Sequence, residues 1–536
     1  MQKSFEKLGV MIDCSRNAVL TMPAFRRMVD ILSSLGYDYI RLYTEDTYEV
    51  EGEPFFGYMR GRYTAEDIRE MDAYAASKNM QLIPCVQTLA HLGSIFRYAK
   101  YTHFNDIDDI LLVGDDRTYE LIDNIFKTLA NCFTARVANI GMDEAFKIGR
   151  GKYLDKNGLV PSEKIMKQHL TKVLEIADKY GFTCEMWGDM FIRAAYGDTA
   201  NFTKEEVEKV KAEVPKNLRL VCWDYYHTDE DFYRDIITKH QRLTDNVSFA
   251  AGAWSWLGFC PNNSYSIKEC KASVAVCKEK GIKDYCVTVW GDNGAEGSPF
   301  GVLPTLFAVS EFAKGNYDEE AIKKAFQEKF DVDFDLFCAM EQPDKIYSTD
   351  DVDTFNPSKV QLYCDVFAGV FDYIVKENTA QPYYAALSKK LAEGESHPIW
   401  GKHFKMVRTL CDVLEIKFEL GLKTRRVYKG ANKAEIAKLA REDYAQLLLR
   451  LEAFYEAHES LWMHEKRPQG FDVQDARIGG LLRRIEHCQK RLLQYAEGKI
   501  DTIAELNEEI SHPLGHAGWA GITCSAYTTI FSVNVP

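Results

Sequence analysis

With 536 residues, 46% of them hydrophobic, the chain can bury a substantial core and form two domains, one of them large. A formal net charge of −14 and a pI near 5.5 argue against a nucleic-acid partner, whose phosphates need a basic surface, and against an anionic membrane for the same reason. No apolar run approaches the roughly 18 residues of a membrane span, and residues 1–10 lack the charged-then-apolar profile of a secretory leader, so the mature chain is expected to begin at Met1. The 14 cysteines are scattered, several of them (Cys85, Cys184, Cys222, Cys286) inside apolar runs, with no CxxC pair and no metal-type spacing with histidine. They read as small buried hydrophobes in a reducing, cytoplasmic setting, and nothing in the pattern calls for a metal or a cofactor.

From residue 7 to about 315, short β-type runs alternate with amphipathic stretches, the pattern of parallel strands joined by helical crossovers. The strand-like runs cover 8–13, 37–44, 80–87, 136–141, 183–188, 218–225, 247–254 and 284–291. Between them, 65–79 and 162–181 carry apolar residues at three- and four-residue spacing and close on asparagine or glycine. Eight such units over about 300 residues fit a (β/α)8 barrel, with a doubly wound open sheet as the alternative. Beyond 316 the texture changes to long segments rich in Lys, Glu, Leu and Ala, with helices expected at 357–375, 399–425, 432–457 and 471–497. The expected division is therefore a barrel over 1–315 and an all-α domain over 316–536, with the 512–536 tail left unassigned.

In such a barrel the chemistry collects at the carboxyl ends of the strands. Those ends carry Asp13 to Asn17, Glu45 and Asp46, His91, Asp143 and Glu144, Trp187 and Asp189, Trp223 to Tyr226, Trp254 and Trp256, and Trp290 and Asp292. Five of the chain's eight tryptophans fall there, which favours a ring-stacking pocket for a sugar over even structural use, although any one tryptophan is more often core. The pair Asp143 and Glu144 directly follows an apolar run in NIGMDEAF, where burial would let one acid hold a proton near neutrality. Spacing alone leaves a loop or helix-capping role open. The segment after the seventh strand, AWSWLGF, holds no carboxylate, so a second acid must lie elsewhere or the substrate must supply its own nucleophile.

These residues resemble the β-N-acetylhexosaminidases of glycoside hydrolase family 20, particularly compact bacterial members without an N-terminal accessory domain. The likeness rests on NIGMDEA, DCSR around Arg16, PCVQTLAH ending in His91, MWGD at Trp187 and VWGD from Trp290 to Asp292, in that order. It implies substrate-assisted catalysis: the sugar's 2-acetamido oxygen attacks the anomeric carbon, Glu144 serves as acid and then base, and Asp143 orients the acetamido group. It further implies that Arg16 and Asp292 contact ring hydroxyls, that Trp187, Trp223, Trp254, Trp256 and Trp290 are wall candidates, and that His91 tunes Glu144. Three departures from the family pattern stand out. Asn139 and Met142 stand where His and Gly are usual, Asp292 where Glu is frequent, and no Tyr-x-Asp triplet follows the seventh strand, which leaves Tyr225 as a substitute.

The expected activity is thus exo-acting release of terminal GlcNAc or GalNAc from a glycan or glycoconjugate. Two alternatives stand beside it: a two-carboxylate retaining glycosidase on neutral sugars, using Asp189, Asp224 or Asp292 with Glu144, and a non-catalytic carbohydrate-binding protein. The helical half could cover one side of the pocket or build a homo-oligomer interface.

Overall fold

The computed structural model describes residues 4–197, 204–347, 356–510, 526–532 and 534, so most of the unassigned 512–536 tail lies outside the described residues. Eight strands close a parallel barrel: β1 (Lys7–Asp13), β2 (Tyr39–Tyr43), β3 (Gln81–Cys85), β4 (Val137–Asn139), β5 (Thr183–Trp187), β6 (Arg219–Trp223), β7 (Val247–Gly252) and β8 (Asp284–Val289). Closure comes from β1, which pairs with β2 through Gly9↔Tyr39 to Asp13↔Tyr43 and with β8 through Lys7↔Asp284 to Ile12↔Val289. The open-sheet alternative is thereby excluded. All eight expected strands form, seven of them one to three residues shorter than the apolar runs and β1 one residue longer.

The helices between strands begin and end where their side chains satisfy the backbone. Thr21 caps α1 (Met22–Leu35) by accepting the Ala24 N–H, and Phe25, Met28, Val29 and Leu32 form its buried face. A reciprocal Thr64/Asp67 capping box starts α2 (Ala65–Ser77). Each such large apolar side chain contributes about 1.5–3 kcal/mol on burial.

Strand alternation sends every second residue into the barrel. Met11, Tyr39, Tyr43, Cys85, Trp187, Val221 and Cys286 form one buried cluster there. Charges are enclosed below the mouth: Arg41 of β2 meets Glu185 of β5 at 2.5 Å, and Arg219 and the Tyr39 hydroxyl reach Asp284 at 2.9 and 2.7 Å. Among the described residues no helix is long and apolar enough to cross a membrane.

The chain forms two compact units. One comprises residues 1–253, 266–290 and 306–317; the other takes 254–265, 291–305 and everything from 318. The helical unit therefore includes two loops that follow β7 and β8, where the pattern had suggested one cut at 315. The reason is visible in its hydrogen bonds. Lys466 Nζ donates to the carbonyls of Ala295 and Gly297, both at 2.7 Å, Gln474 to that of Gly294 at 3.1 Å, and Arg477 to that of Asn293 at 2.8 Å. The Glu296 carboxylate lies 2.7 Å from both Lys359 and Arg477.

Long helices Gly401–Lys429, Ala445–Glu465 and Phe471–Ala496 supply most of this unit. The helix expected at 357–375 stops at Tyr363, because Asp365 Oδ1 accepts the N–H groups of Phe367 and Ala368 while Lys417 takes the carbonyls of Gln361 and Cys364. The stretch expected as one helix at 432–457 is Lys433–Leu439, a π-turn over Ala440–Tyr444 and then Ala445–Glu465.

Candidate active site

Strand β4 ends in a turn that only a few residues can make. Asn139 Oδ1 accepts the Gly141 N–H at 2.9 Å, and Gly141 adopts φ +71°. A Cβ at Gly141 would sit 2.0 Å from Gln87 Oε1, so glycine is required both by conformation and by this close approach. Left-handed backbone continues at Met142 (φ 67°) and Glu144 (φ 54°) and recurs at Glu45 (φ 45°) and His91 (φ 57°), the ends of other strands. Each costs on the order of 1 kcal/mol or more, and such strain gathers where surrounding packing holds a working geometry.

The turn sends the two adjacent acids into different surroundings. Asp143 is buried; its Oδ1 accepts from Gln87 Nε2 at 2.8 Å and its Oδ2 faces His91 Nε2 at 3.3 Å. Burial pushes its carboxyl up, but the hydrogen bond and charge of His91 and the Gln87 amide outweigh it, so Asp143 stays below the ordinary aspartate range. Glu144 keeps a side chain 48% exposed, 3.7 Å from His91 Nε2, while its backbone N–H donates to Asp189 Oδ2 at 2.9 Å. Partial burial and the charge of Asp143 raise it above the ordinary glutamate range. Burial would lower His91, yet its bond to Asp143 and the nearby Glu45 raise it to about 9. Burial lifts Glu45 to about 7 against the pull of Arg16, and lifts Asp189 to about 7 with help from Asp143.

The remaining contacts in this unit close a ring around the barrel mouth. Arg16 Nη2 lies 3.3 Å from Glu45 Oε1, which also accepts the Tyr43 hydroxyl at 3.2 Å. The Tyr43 ring packs edge-on to Trp290 at 4.8 Å between centroids, and Trp290 lies 5.9 Å from Trp187. Tyr225, its hydroxyl against Trp290 and Thr288, stacks on Trp223 at 5.3 Å, and Trp223 hydrogen-bonds Asp189, which returns the path to Glu144. Trp187 is 1% exposed, and its indole N–H meets no acceptor among the described residues.

Eight of the residues singled out from the sequence thus stand together: Arg16, His91, Asp143, Glu144, Trp187, Trp223, Tyr225 and Trp290. Trp254, Trp256 and Asp292 belong to the other unit. There the two buried tryptophans stack at 4.6 Å, and Asp292 takes φ 22°. Asp224 is committed elsewhere, accepting from the N–H groups of Tyr226 and His227 and from the Tyr233 hydroxyl at 3.3 Å. Sequence reasoning passed over Gln87 and Tyr43. The available signal was a polar amide two residues beyond Cys85, on the inward alternation of an otherwise apolar strand. Among the described residues no group of three or more His, Cys, Asp and Glu is arranged to hold a metal ion.

Two family profiles match the chain. Residues 5–251 match the profile of the glycosyl hydrolase family 20 catalytic domain, and residues 335–516 that of the glycoside hydrolase 20C C-terminal domain. Similar solved structures include a family 20 exo-β-N-acetylglucosaminidase from Vibrio harveyi in complex with N-acetylglucosamine (15% identity, TM-score 0.47), the match covering 62% of this chain and 58% of that one. A β-N-acetylhexosaminidase from Bacteroides fragilis matches at 16% identity and TM-score 0.45, over 61% and 69% of the two chains. One from Streptomyces coelicolor matches at 15% and 0.44, over 64% and 69%. The chain thus spans less than two thirds of the Vibrio enzyme's length. With one profile over most of the barrel and a second over the helical segment that follows, this chain belongs to glycoside hydrolase family 20.

Proposed function

We propose that the protein is an exo-acting retaining β-N-acetylhexosaminidase that removes terminal N-acetylglucosamine or N-acetylgalactosamine from a glycan or glycoconjugate, using the substrate's own acetamido group. The observation that carries this reading is the division between two neighbouring acids. Asp143 is buried, ion-paired and held as a carboxylate, whereas Glu144 is half-exposed and biased towards keeping its proton.

In the first step the acetamido carbonyl oxygen bonds to the anomeric carbon as the glycosidic C–O bond breaks. The Glu144 proton passes to the departing oxygen, and Asp143 accepts the acetamido N–H and offsets the positive charge of the oxazolinium. In the second step water attacks the same carbon, gives its proton to Glu144 and reopens the ring. Two inversions retain the configuration. Presenting the carbonyl in line makes the attack unimolecular, with effective molarities on the order of 10⁵ M or more for well-oriented groups.

Trp187, Trp223, Tyr225 and Trp290 supply the aromatic walls in this reading, and Arg16, paired to Glu45, addresses ring hydroxyls. Asp292, Trp254 and Trp256 enter it from the family resemblance alone. Against a two-carboxylate mechanism on neutral sugars, Asp224 is occupied by three donors and Asp189 by the Glu144 N–H. We extend the proposal to a reducing, cytoplasmic setting, supported by the described cysteines being free thiols, all but Cys338 buried.

The test is a panel of nitrophenyl glycosides together with a thiazoline mimic of the cyclised intermediate. Cleavage confined to the N-acetyl substrates, with tight competitive inhibition, is expected. Efficient cleavage of the glucoside or galactoside, or a trapped covalent ester to a side chain, would overturn the mechanism; sugar binding without turnover would favour a non-catalytic role.

A further inference from the structure

We propose that Gln87 is a positioning residue that keeps Asp143 a carboxylate and aims it, through hydrogen bonds that can run in only one direction. The proposal rests on the reading of Asp143 as the group that orients the acetamido.

The direction is settled by the turn after β4. Gln87 is fully buried, and its carboxamide oxygen accepts the Met142 N–H at 3.2 Å. A backbone N–H is only a donor, so the oxygen must occupy that side and the amide nitrogen the other. The same oxygen lies against Gly141, where a Cβ would approach to 2.0 Å, so the turn has the shape of this amide built into it. Nε2 then faces Tyr43 Oη at 2.9 Å and Asp143 Oδ1 at 2.8 Å, with one hydrogen for each. Because the nitrogen donates to the Tyr43 oxygen, the tyrosine proton is directed onward to Glu45 Oε1 at 3.2 Å, beside Arg16.

Two consequences follow. An amide is not deprotonated here, so Oδ1 of Asp143 always meets a donor, and a proton on Asp143 would break that bond if it sat on Oδ1 and weaken it if it sat on Oδ2. Oδ1 is also tied down, which leaves the rest of the carboxylate to the substrate and to His91. The charged and titratable groups facing Asp143 are His91 beyond β3, Tyr43 with Glu45 and Arg16 behind it, Glu144 beside it, and Asp189 and Tyr225 from the β5 and β6 ends. Gln87 is the neutral member that only donates to it.

The experiment compares the full-length wild type with Gln87→Met and Gln87→Glu, recording kcat and KM on 4-nitrophenyl N-acetyl-β-glucosaminide and the melting temperature across pH. Gln87→Met removes the donor while conserving volume. Its kcat/KM relative to wild type is expected to fall by about tenfold or more towards acid pH, a displacement of about one pH unit in the Asp143 titration, carried mainly by kcat. Gln87→Glu can donate only while protonated. Its relative activity is expected to tilt the opposite way, falling as pH rises and two carboxylates come to face each other. A group that merely filled space would lower activity evenly, and ratios flat with pH for both variants would overturn the proposal.

The melting temperature gives a readout independent of turnover. The deficit of Gln87→Glu should widen from about pH 5 to about pH 8, as the like charges develop. A widening deficit in a protein that does not cleave the acetamido substrate would sink the functional reading and leave the Gln87 contact standing. Normal turnover with a constant deficit and flat ratios would do the reverse.

Discussion

Both units bury charge, and they treat it differently. In the helical unit, Glu296 is shared by Lys359 and Arg477, Glu465 meets His403 and the Ser298 hydroxyl at 2.7 Å each, and Lys466 is capped by two carbonyls. Glu296 thus has two cations beside it, and Glu465 has a histidine ring nitrogen on one oxygen and a hydroxyl on the other. At the barrel mouth, four acids (Glu45, Asp143, Glu144 and Asp189) crowd around one arginine and one histidine, and burial together with mutual repulsion lifts Glu45 and Asp189 to about 7. The left-handed residues Glu45, His91, Met142 and Glu144 fall at that mouth. Burial of charge alone therefore does not mark a site; uncompensated like charge on strained backbone does.

The comparison predicts a split between activity and stability. The largest effect is expected at the two acids. Asp143→Asn should reduce turnover of N-acetyl substrates by about 10²- to 10³-fold, the scale of removing a preorganised transition-state contact. Glu144→Gln should lose about 10²- to 10⁴-fold on substrates with poor leaving groups and markedly less on activated nitrophenyl substrates. Both should melt near the wild type. Equal losses by Glu144→Gln on good and poor leaving groups would remove its role as acid.

Next come the enclosed ion pairs, where the sign of the split reverses. Glu296→Gln strands Lys359 and Arg477, and Glu185→Gln strands Arg41 inside the barrel; each should cost about 3–5 kcal/mol of stability in urea titrations. Glu185 matters to the comparison because it is buried in the barrel yet ion-paired to Arg41 and, further off, Arg219. If Glu185→Gln left stability intact and abolished only turnover, the proposed distinction between paired and crowded charge would fail.

The pH profile is a smaller, signed effect. Glu144 must carry its proton to act as acid, and its value is raised, so activity should fall on the alkaline side as that proton is lost. Asp143 must be ionised, and its value is lowered, so activity should persist further into acid than an ordinary aspartate would allow. The two limbs of the kcat/KM profile should therefore lie further apart than those of an ordinary aspartate and glutamate. Smallest is the exposed pair of Lys147 and Asp108 at 2.7 Å: Lys147→Ala should change neither melting temperature nor rate measurably, which calibrates the other variants.

Much of the architecture was legible because period and punctuation are local. Eight apolar runs separated by amphipathic stretches imply a closed barrel, and Thr64 with Asp67 marks a helix start without reference to anything distant. Asp143 and Glu144 could be singled out for the same reason, standing directly after an apolar run, as could Trp187, Trp223 and Trp290, whereas Trp254 and Trp256 fall in the other unit. The early stop at Tyr363 was not, because it depends on Lys417, 54 positions away, withdrawing the carbonyls of Gln361 and Cys364. Nor was the transfer of loop 291–305 to the helical unit, which Lys466, Gln474 and Arg477 decide from more than 160 residues away.

The sequence by itself determined where each strand ends and which residues follow it, since strand alternation and the position of each turn are properties of neighbouring residues. Only the tertiary structure decided what each can do there. Proton affinity depends on burial and on charges brought from other strands, which is why Asp143 and Glu144, joined by one peptide bond, end with opposite shifts. Gln87 gains its importance in the same way: 56 residues from Asp143 along the chain, it is 2.8 Å away once the barrel closes.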